Sequence, residues 1–460
     1  MHSFIFRRLA RLRENYWFLP STMTLAAVLL GIFLPYLDSQ IGSGWVEDVG
    51  FLRATDADGA RAILTTLAGA TLGVAGVAFS VTIVAVSFAS SNYGPRLIGN
   101  FMGDRKNQTV LGVFVATFVY CITVLSTVHT STEHDATTIE AFVPQLSVFG
   151  ALLMTLAAVG ALIAYIHHIP ESINIMNLTA EIGGRLQRAI IKMLEEDDPS
   201  DDTDKASVDI EAWCTASDSE REEVIHASRA GFLQQVDMQS LAKIAREENI
   251  QIRLYRAPGD FLVEGETVMA AFPAAHPEGT IRKRLEGCFT LGANRTVSQD
   301  VLFLSDQLVE VLGRALSTGV NDPQTAFLCL NWLRAGLVTF ARREPLKPVD
   351  PGARVLFQRL TLEAMLSRSF DDMRQYIAGD RTTTLHAMTV LTDIALAATR
   401  QSMVDACLRQ IRNLAQSANE LLEESAAREE VKAGLRNALG MIASDRAEAR
   451  CSQVYSLPRP

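Results

Sequence analysis

The run from Leu64 to Phe88, LTTLAGATLGVAGVAFSVTIVAVSF, contains no charged residue. A helix needs about 20 apolar residues to cross the hydrocarbon of a bilayer, and this run exceeds that. A soluble helix of the same length would turn one charged face to water; this one has none to turn. It carries a stripe of small residues instead. At about 100° per residue, Gly69, Gly73, Gly76, Ser80, Ser87 and Ser91 fall within one narrow sector, with Thr65 and Thr66 beside it one turn earlier. Leu67, Leu72, Val74, Phe79, Val81 and Phe88 lie mostly outside that sector, and only Ile83 and Val84 interrupt it.

The stripe supports two readings. Small residues let membrane helices approach closely, because lipid supplies no hydrophobic drive for association. Serine and threonine hydroxyls and exposed glycine backbone also suit a permeation face, where they replace part of an ion's hydration shell. Ile83 and Val84 would then form an apolar constriction that gates by dewetting. The readings agree if helices from several subunits pack around one axis. Thr65, Thr66, Gly69, Gly73, Gly76, Ser80, Ser87 and Ser91 are therefore candidate pore-lining or helix-packing residues, and Ile83 and Val84 candidate gate residues.

Three further apolar runs accompany this one: Trp17 to Leu37, Val110 to Val128, and Pro144 to about Ile166. None of the four contains Lys, Arg, Asp or Glu, which argues against a proton relay or an ion-coupled transporter. Arg7, Arg8, Arg11 and Arg13 precede the first run. That run is too long for a signal-peptide core and lacks a small-residue cleavage site after it. Arg105 and Lys106 lie between the second and third runs. The other two loops are acidic, with Asp38, Glu47, Asp48, Asp56 and Asp58 in one and Glu133, Asp135 and Glu140 in the other. By the positive-inside rule the chain crosses four times with both termini cytoplasmic. The net charge of -10 argues against nucleic acid as a partner. Six scattered cysteines without CxxC spacing read as free thiols, and no metal site or cofactor is indicated.

His167-His168-Ile169-Pro170 reads as the end of the fourth helix. Adjacent histidines point about 100° apart, so they do not chelate one ion. A helical pattern follows from Glu171 to Leu194, then the acidic linker EEDDPSDDTD, Glu195 to Asp204. Strand patterns at Val224–Ala227, Gly231–Val236, Gln251–Arg256, Phe261–Val263 and Thr267–Phe272 surround a helix capped by Asp237, and Pro258-Gly259-Asp260 is a turn. From Gly279 the pattern is helical: Thr280–Gly287, Ser298–Ser317, Asp322–Thr339, Ala353–Ile377, Thr383–Leu396, Gln401–Glu424 and Ala427–Ala443. Gly319, Asn321, Asp322 and Pro323 form a structural corner, with Gly319 as helix terminator, Asp322 as N-cap and Pro323 at the first helical position. Arg295 and Thr296, just ahead of a helix start, are cytoplasmic anion-site candidates.

The fold class is thus mainly α: a four-helix transmembrane domain (1–170), then an α+β cytoplasmic region. That region divides into a juxtamembrane helix and acidic linker (171–207), a small β-containing domain (208–278), a helical domain (279–443) and a flexible tail (444–460).

SFASSNYGPR (Ser87–Arg96), IHHIP (Ile166–Pro170), GFLQQVD (Gly231–Asp237) and GANRTVSQD…ALSTGVNDPQTA (Gly292–Ala326) together resemble the bacterial membrane-protein family called domain of unknown function 2254. The resemblance covers nearly the whole chain. It implies a four-helix bacterial inner-membrane protein with a large cytoplasmic part, and it carries over no catalytic residues. The function expected is an oligomeric channel or passive transporter for an inorganic ion or small solute, with a regulatory cytoplasmic domain. The alternative is a membrane-anchored sensor or scaffold, because the cytoplasmic two thirds exceeds what a pore needs. An enzyme is not expected, since Walker A, GxSxG, HExxH and Rossmann patterns are missing. The expected partners are the lipid bilayer and further copies of the same chain.

Overall fold

The structure is a computed structural model that describes residues 17–41, 56–97, 104–129, 132–134, 137–139, 142–196, 205–208, 223–272, 280–342, 354–358 and 360–455. The arginines ahead of Trp17, most of the first acidic loop, residues 98–103 and the acidic linker from 197 to 204 lie outside them. The chain forms two compact units, Met1–Asn177 and Leu178–Pro460.

Among the described residues, the first unit has four helices long and apolar enough to cross a membrane. They are α1 (Phe18–Ile41), α2 (Ala57–Tyr93), α3 (Arg105–Leu125) and α4 (Gln145–Ile173). A short antiparallel hairpin, β1 (Thr132–His134) with β2 (Thr137–Ile139), lies between α3 and α4. The third helix is the central one: it packs against α1, α2 and α4. Close approach is made where glycine faces a neighbour. A Cβ on Gly112 would stand 2.5 Å from Met23 Sδ and 3.3 Å from Pro20 Cα. One on Gly31 would stand 2.9 Å from Thr123 Cβ, and one on Gly150 2.7 Å from the Tyr120 hydroxyl. These are α1–α3 and α3–α4 contacts that no larger side chain would permit.

Polar ties fix the order of the bundle. Asp38, buried in the last turns of α1, accepts from the backbone N–H groups of Leu146 (2.9 Å) and Ser147 (3.0 Å) and from the Ser147 hydroxyl (2.8 Å). It thereby caps the first turn of α4. This carboxylate corrects the expectation that the first helix ends uncharged near Leu37. Arg61 of α2 donates to the carbonyl of Val128 after α3 (3.0 Å). At the opposite end, Asp104 caps α3 by accepting from Lys106 N (2.9 Å), and it meets His168 Nε2 of α4 at 2.5 Å. One turn inward from that end, the Tyr165 hydroxyl contacts Thr82 Oγ1 (2.8 Å) and donates to the Ala78 carbonyl. Asp38, Arg61 and Ser147 mark one end of an up-down-up-down bundle; Asp104 and His168 mark the other. The fourth helix does not stop at His167-His168. It runs through Pro170 to Ile173, and the exposed His167 faces Glu171 one turn on (3.3 Å).

The second unit begins in α5 (Ile175–Glu196). Its sheet strands are β3 (Lys205–Val208), β4 (Glu223–His226), β5 (Gly231–Val236), β6 (Gln251–Leu254), β7 (Phe261–Leu262), β8 (Thr267–Phe272), β9 (Phe289–Gly292) and β10 (Val355–Gln358). They form a five-stranded mixed sheet, β3-β10-β6-β8-β4, and a three-stranded antiparallel sheet, β7-β5-β9. Two short helices, α6 (Met238–Glu247) and α7 (Thr280–Glu286), accompany these strands. Ile225, Leu233, Leu241, Ile252, Leu262 and Met269 are fully buried at their centre.

The helical part comprises α8 (Val301–Ala315), α9 (Pro323–Ala341), α10 (Leu362–Leu366), α11 (Arg374–Ala378), α12 (Arg381–Ala397), α13 (Gln401–Leu421) and α14 (Ser425–Tyr455), with a π-helical turn at Ser367–Asp371. Two readings of the sequence are corrected here. Residues 353–377 are not one helix: β10 comes first and pairs in parallel with both β3 and β6. The β-containing region therefore extends beyond 208–278 at both ends. Residues 444–455 are not a free tail either, because α14 continues through Tyr455, and 456–460 lie outside the described residues. Cys121, Cys288, Cys329 and Cys407 are free and buried, while Cys214 lies outside the described residues.

Candidate functional site

The second helix is 37 residues long and packs into its own bundle by a single stripe: Ala60, Leu64, Ala68, Thr71, Ala75, Ala78, Thr82, Ala85 and Ala89. Small side chains at every third or fourth position suit close packing on α3 and α4. At about 100° per residue, this stripe and the Gly69–Gly73–Gly76–Ser80–Ser87 stripe lie about 180° apart. The two faces are opposite one another on one helix.

The consequence is plain in the exposures. Thr65, Thr66, Gly69, Gly73, Gly76, Ser80, Ser87 and Ser91 are all exposed, as are Ile83 and Val84. A Cβ built on Gly69, Gly73 or Gly76 would meet nothing within 4 Å among the described residues. The close-packing role within one chain belongs to Gly31, Gly112 and Gly150 instead. The structure thus brings every helix-2 candidate onto one outward strip. Leu72 and Phe79 rise on one flank, with Val77 and Phe88 on the other. The hydroxyls are not idle: Thr66 Oγ1 donates to Ala62 O (2.7 Å), Ser80 Oγ to Gly76 O (2.9 Å) and Ser91 Oγ to Phe88 O (3.0 Å). A hydroxyl whose proton is given to its own helix keeps its oxygen lone pairs as acceptors.

The second group of candidates is arranged differently. Arg295 donates through Nε to Asp300 Oδ2 (2.7 Å), through Nη2 to Asp300 Oδ1 (3.0 Å) and through Nη1 to Asp306 Oδ2 (2.5 Å). Arg368, in the π-helical turn, grips Asp306 from the other side with Nε (2.6 Å) and Nη2 (2.9 Å). Both carboxylates are buried, and the Arg295 guanidinium lies 5.0 Å over the Phe303 ring. Burial raises the Asp300 carboxyl above its ordinary range even against Arg295. Burial acts the same way on Asp306, but two guanidiniums, Arg368 and Arg295, outweigh it and hold that carboxyl below its usual range. The N-terminus of α8 is filled as well, since Asp300 accepts from Phe303 N (3.0 Å). Thr296 donates to Gln234 O (3.4 Å). The reading of Arg295 and Thr296 as an anion site is therefore corrected: the protein supplies its own anions there. Asp306 and Arg368 are the partners that sequence reasoning missed, because 62 positions separate them.

The corner is as expected at Asp322, which accepts from Gln324 N (3.1 Å) and Thr325 N (3.2 Å), with Pro323 opening α9. The terminator is not Gly319. The residue in the left-handed conformation is Asn321 (φ 48°), whose N–H donates to Ser317 O (2.9 Å).

Residues 13–393 match the protein family described as "Predicted membrane protein (DUF2254)". Uncharacterised proteins of Mycobacterium bovis and Mycobacterium tuberculosis are 29% identical to this chain over 329 residues. The alignment takes in 70% of this chain and 60% of each relative, so the chain spans about three fifths of their length. No solved structure matches.

Proposed function

The chain belongs to the predicted membrane protein family known as domain of unknown function 2254, and on that premise we propose that it is a homo-oligomeric channel or passive transporter. In this reading it resides in the bacterial inner membrane, keeps both termini in the cytoplasm and has no enzymatic activity. The observation that carries the reading is the outward strip of α2. A glycine-and-hydroxyl face turned away from its own bundle gains nothing from lipid, and small-residue faces are where membrane helices meet. Copies of α2 around an axis would cover the strip and line a path with it. Hydroxyl oxygens that donate to their own helix face that path as acceptors, which suits an inorganic cation or a small polar solute. Ile83 and Val84 interrupt the polar strip and supply the constriction. The orientation follows from Arg105 and Lys106, which lie at the Asp104–His168 end of the bundle.

Reconstitution into planar bilayers tests the reading. The parent protein conducts, Gly76→Leu and Ser80→Leu abolish the current, and Ile83→Ser leaves the path open. Variants that conduct like the parent remove the gate and the path together. A protein that never conducts, yet binds a soluble partner through its second unit, is a membrane-anchored scaffold. The large second unit, Leu178–Pro460, is what favours that second reading.

A further inference from the structure

Three helix ends meet within the second unit. Thr399 N donates to the carbonyl of Ala341 (3.2 Å), which brings the C-terminus of α9 against the link between α12 and α13. Arg342 follows that carbonyl directly, and Arg400 follows Thr399. Arg446 of α14 reaches the same link: its Nη2 donates to Ala398 O (2.6 Å) and to Ala395 O (3.5 Å). Three arginines from three segments thus gather at one junction, in a chain whose net charge is -10.

Much of their hydrogen-bonding capacity is unused. Arg400 Nε and Arg446 Nε are buried and donate to nothing among the described residues. Buried donors are paired in the great majority of cases, so two orphans at one junction call for an explanation. No ion pair joins Arg342, Arg400 or Arg446 to a carboxylate among the described residues. Asp405, the first carboxylate of α13, accepts from Gln401 instead (2.9 Å).

Helix C-termini account for part of the positive charge, since each carries about half a negative charge. Both α9 and α12 end here, so together they offset about one guanidinium. The start of α13 adds about half a positive charge, and Arg400 at its N-cap position gives it no side-chain cap. An excess of roughly two positive charges remains. Gln401 and Ser402, the first residues of α13, are exposed, so the junction is open to solvent. A guanidinium directs a fork of N–H groups at a centre that carries several oxygens. A phosphate group is such a centre, and at neutral pH it brings about -1.5 to -2 charges, which matches the excess where the single charge of a carboxylate does not.

We infer that this junction binds one phosphate group, held by Arg342, Arg400 and Arg446 at the start of α13. The occupant is a soluble phosphate or phosphate ester. The inference does not rest on anything permeating along α2.

Isothermal titration calorimetry of the full chain in mild detergent, with inorganic phosphate as the probe against a chloride background, tests it. The parent takes up one phosphate per chain, and sulfate displaces it. Arg400→Gln weakens binding at least tenfold. Arg400→Lys keeps the charge but not the fork, and weakens it less. Arg412→Gln, at an exposed position on a later turn of α13, leaves the affinity unchanged. Circular dichroism checks the fold of each variant. Should Arg400→Gln fail to fold, Arg342→Gln at an exposed position takes its place and weakens binding in the same direction. A parent that binds no phosphate in the millimolar range overturns the inference. So does an affinity left unchanged by the folded variant. Binding confined to phosphatidylglycerol nanodiscs, with none to inorganic phosphate, overturns it too, by assigning the arginines to a lipid headgroup.

Discussion

Arg295 precedes the first residue of α8 by six positions, and its guanidinium is engaged by Asp300 and Asp306. The sequence placed Arg295 near a helix start correctly. It was silent on Asp306 as partner, because an arginine beside a helix start looks the same whether its anion is free or supplied by the next turn. Loss of one member of a buried ion network exposes the others to an uncompensated charge. Asp306→Asn should therefore cost roughly 3–5 kcal/mol, seen as a lower urea midpoint for the second unit. The pH dependence has a definite sign. Asp306 has its folded carboxyl pKa depressed, so its contribution is complete above the ordinary carboxylate pKa of about 3.9. It is lost as pH falls below that value through the depressed one. The midpoint difference between the parent and Asp306→Asn should accordingly shrink on acidification below pH about 4. Asp38 makes a comparable residue-scale case. It caps a helix more than a hundred positions away, and Asp38→Ala should cost about 0.5–2 kcal/mol in an SDS-titration measurement of the bundle.

Elements were legible in proportion to how local their causes are. The four membrane helices follow from composition alone. Strands β5, β6 and β8 are bounded by strong local signals, Asp237 as a cap and Pro258-Gly259 as a turn. By contrast β10 is a four-residue strand, three of its residues apolar, whose partners, β3 and β6, lie about 150 and 100 positions earlier. A short apolar run reads equally as strand or as buried helix, and nothing near Val355 decides between them. The small-residue stripe shows the same limit from the other side. Periodicity identified the face of α2, yet which of its two small-residue faces turns inward depends on α3 and α4. This yields a contrast between glycines. Gly112→Val should destabilise the bundle by roughly 1–3 kcal/mol, because Met23 and Pro20 already occupy the space. Gly73→Val should leave the stability of the single chain within about 0.5 kcal/mol, since its Cβ enters open space. SDS titration of both variants in dilute micelles reads the difference.

At the scale of the whole molecule, the bundle order and the charge bias lead to one expected topology. A fluorescent reporter joined after Pro460 should light up on the cytoplasmic side, and the same reporter in the hairpin loop at Asp135 should not. Assembly belongs to this scale too. Cysteine placed at Gly73 should crosslink between copies in native membranes, whereas cysteine at Ala75 on the buried stripe should not. The length of α2 has a consequence of its own. The run Leu64–Phe88 within it measures about 37 Å, whereas the hydrocarbon is about 30 Å thick. A rod longer than the slab it crosses leans, and if copies assemble as proposed, several leaning rods around one axis would draw together at a single waist and splay above and below it. The throat of such an hourglass would be one ring of side chains deep, so a slight change of slant would open or shut it without any helix having to unwind.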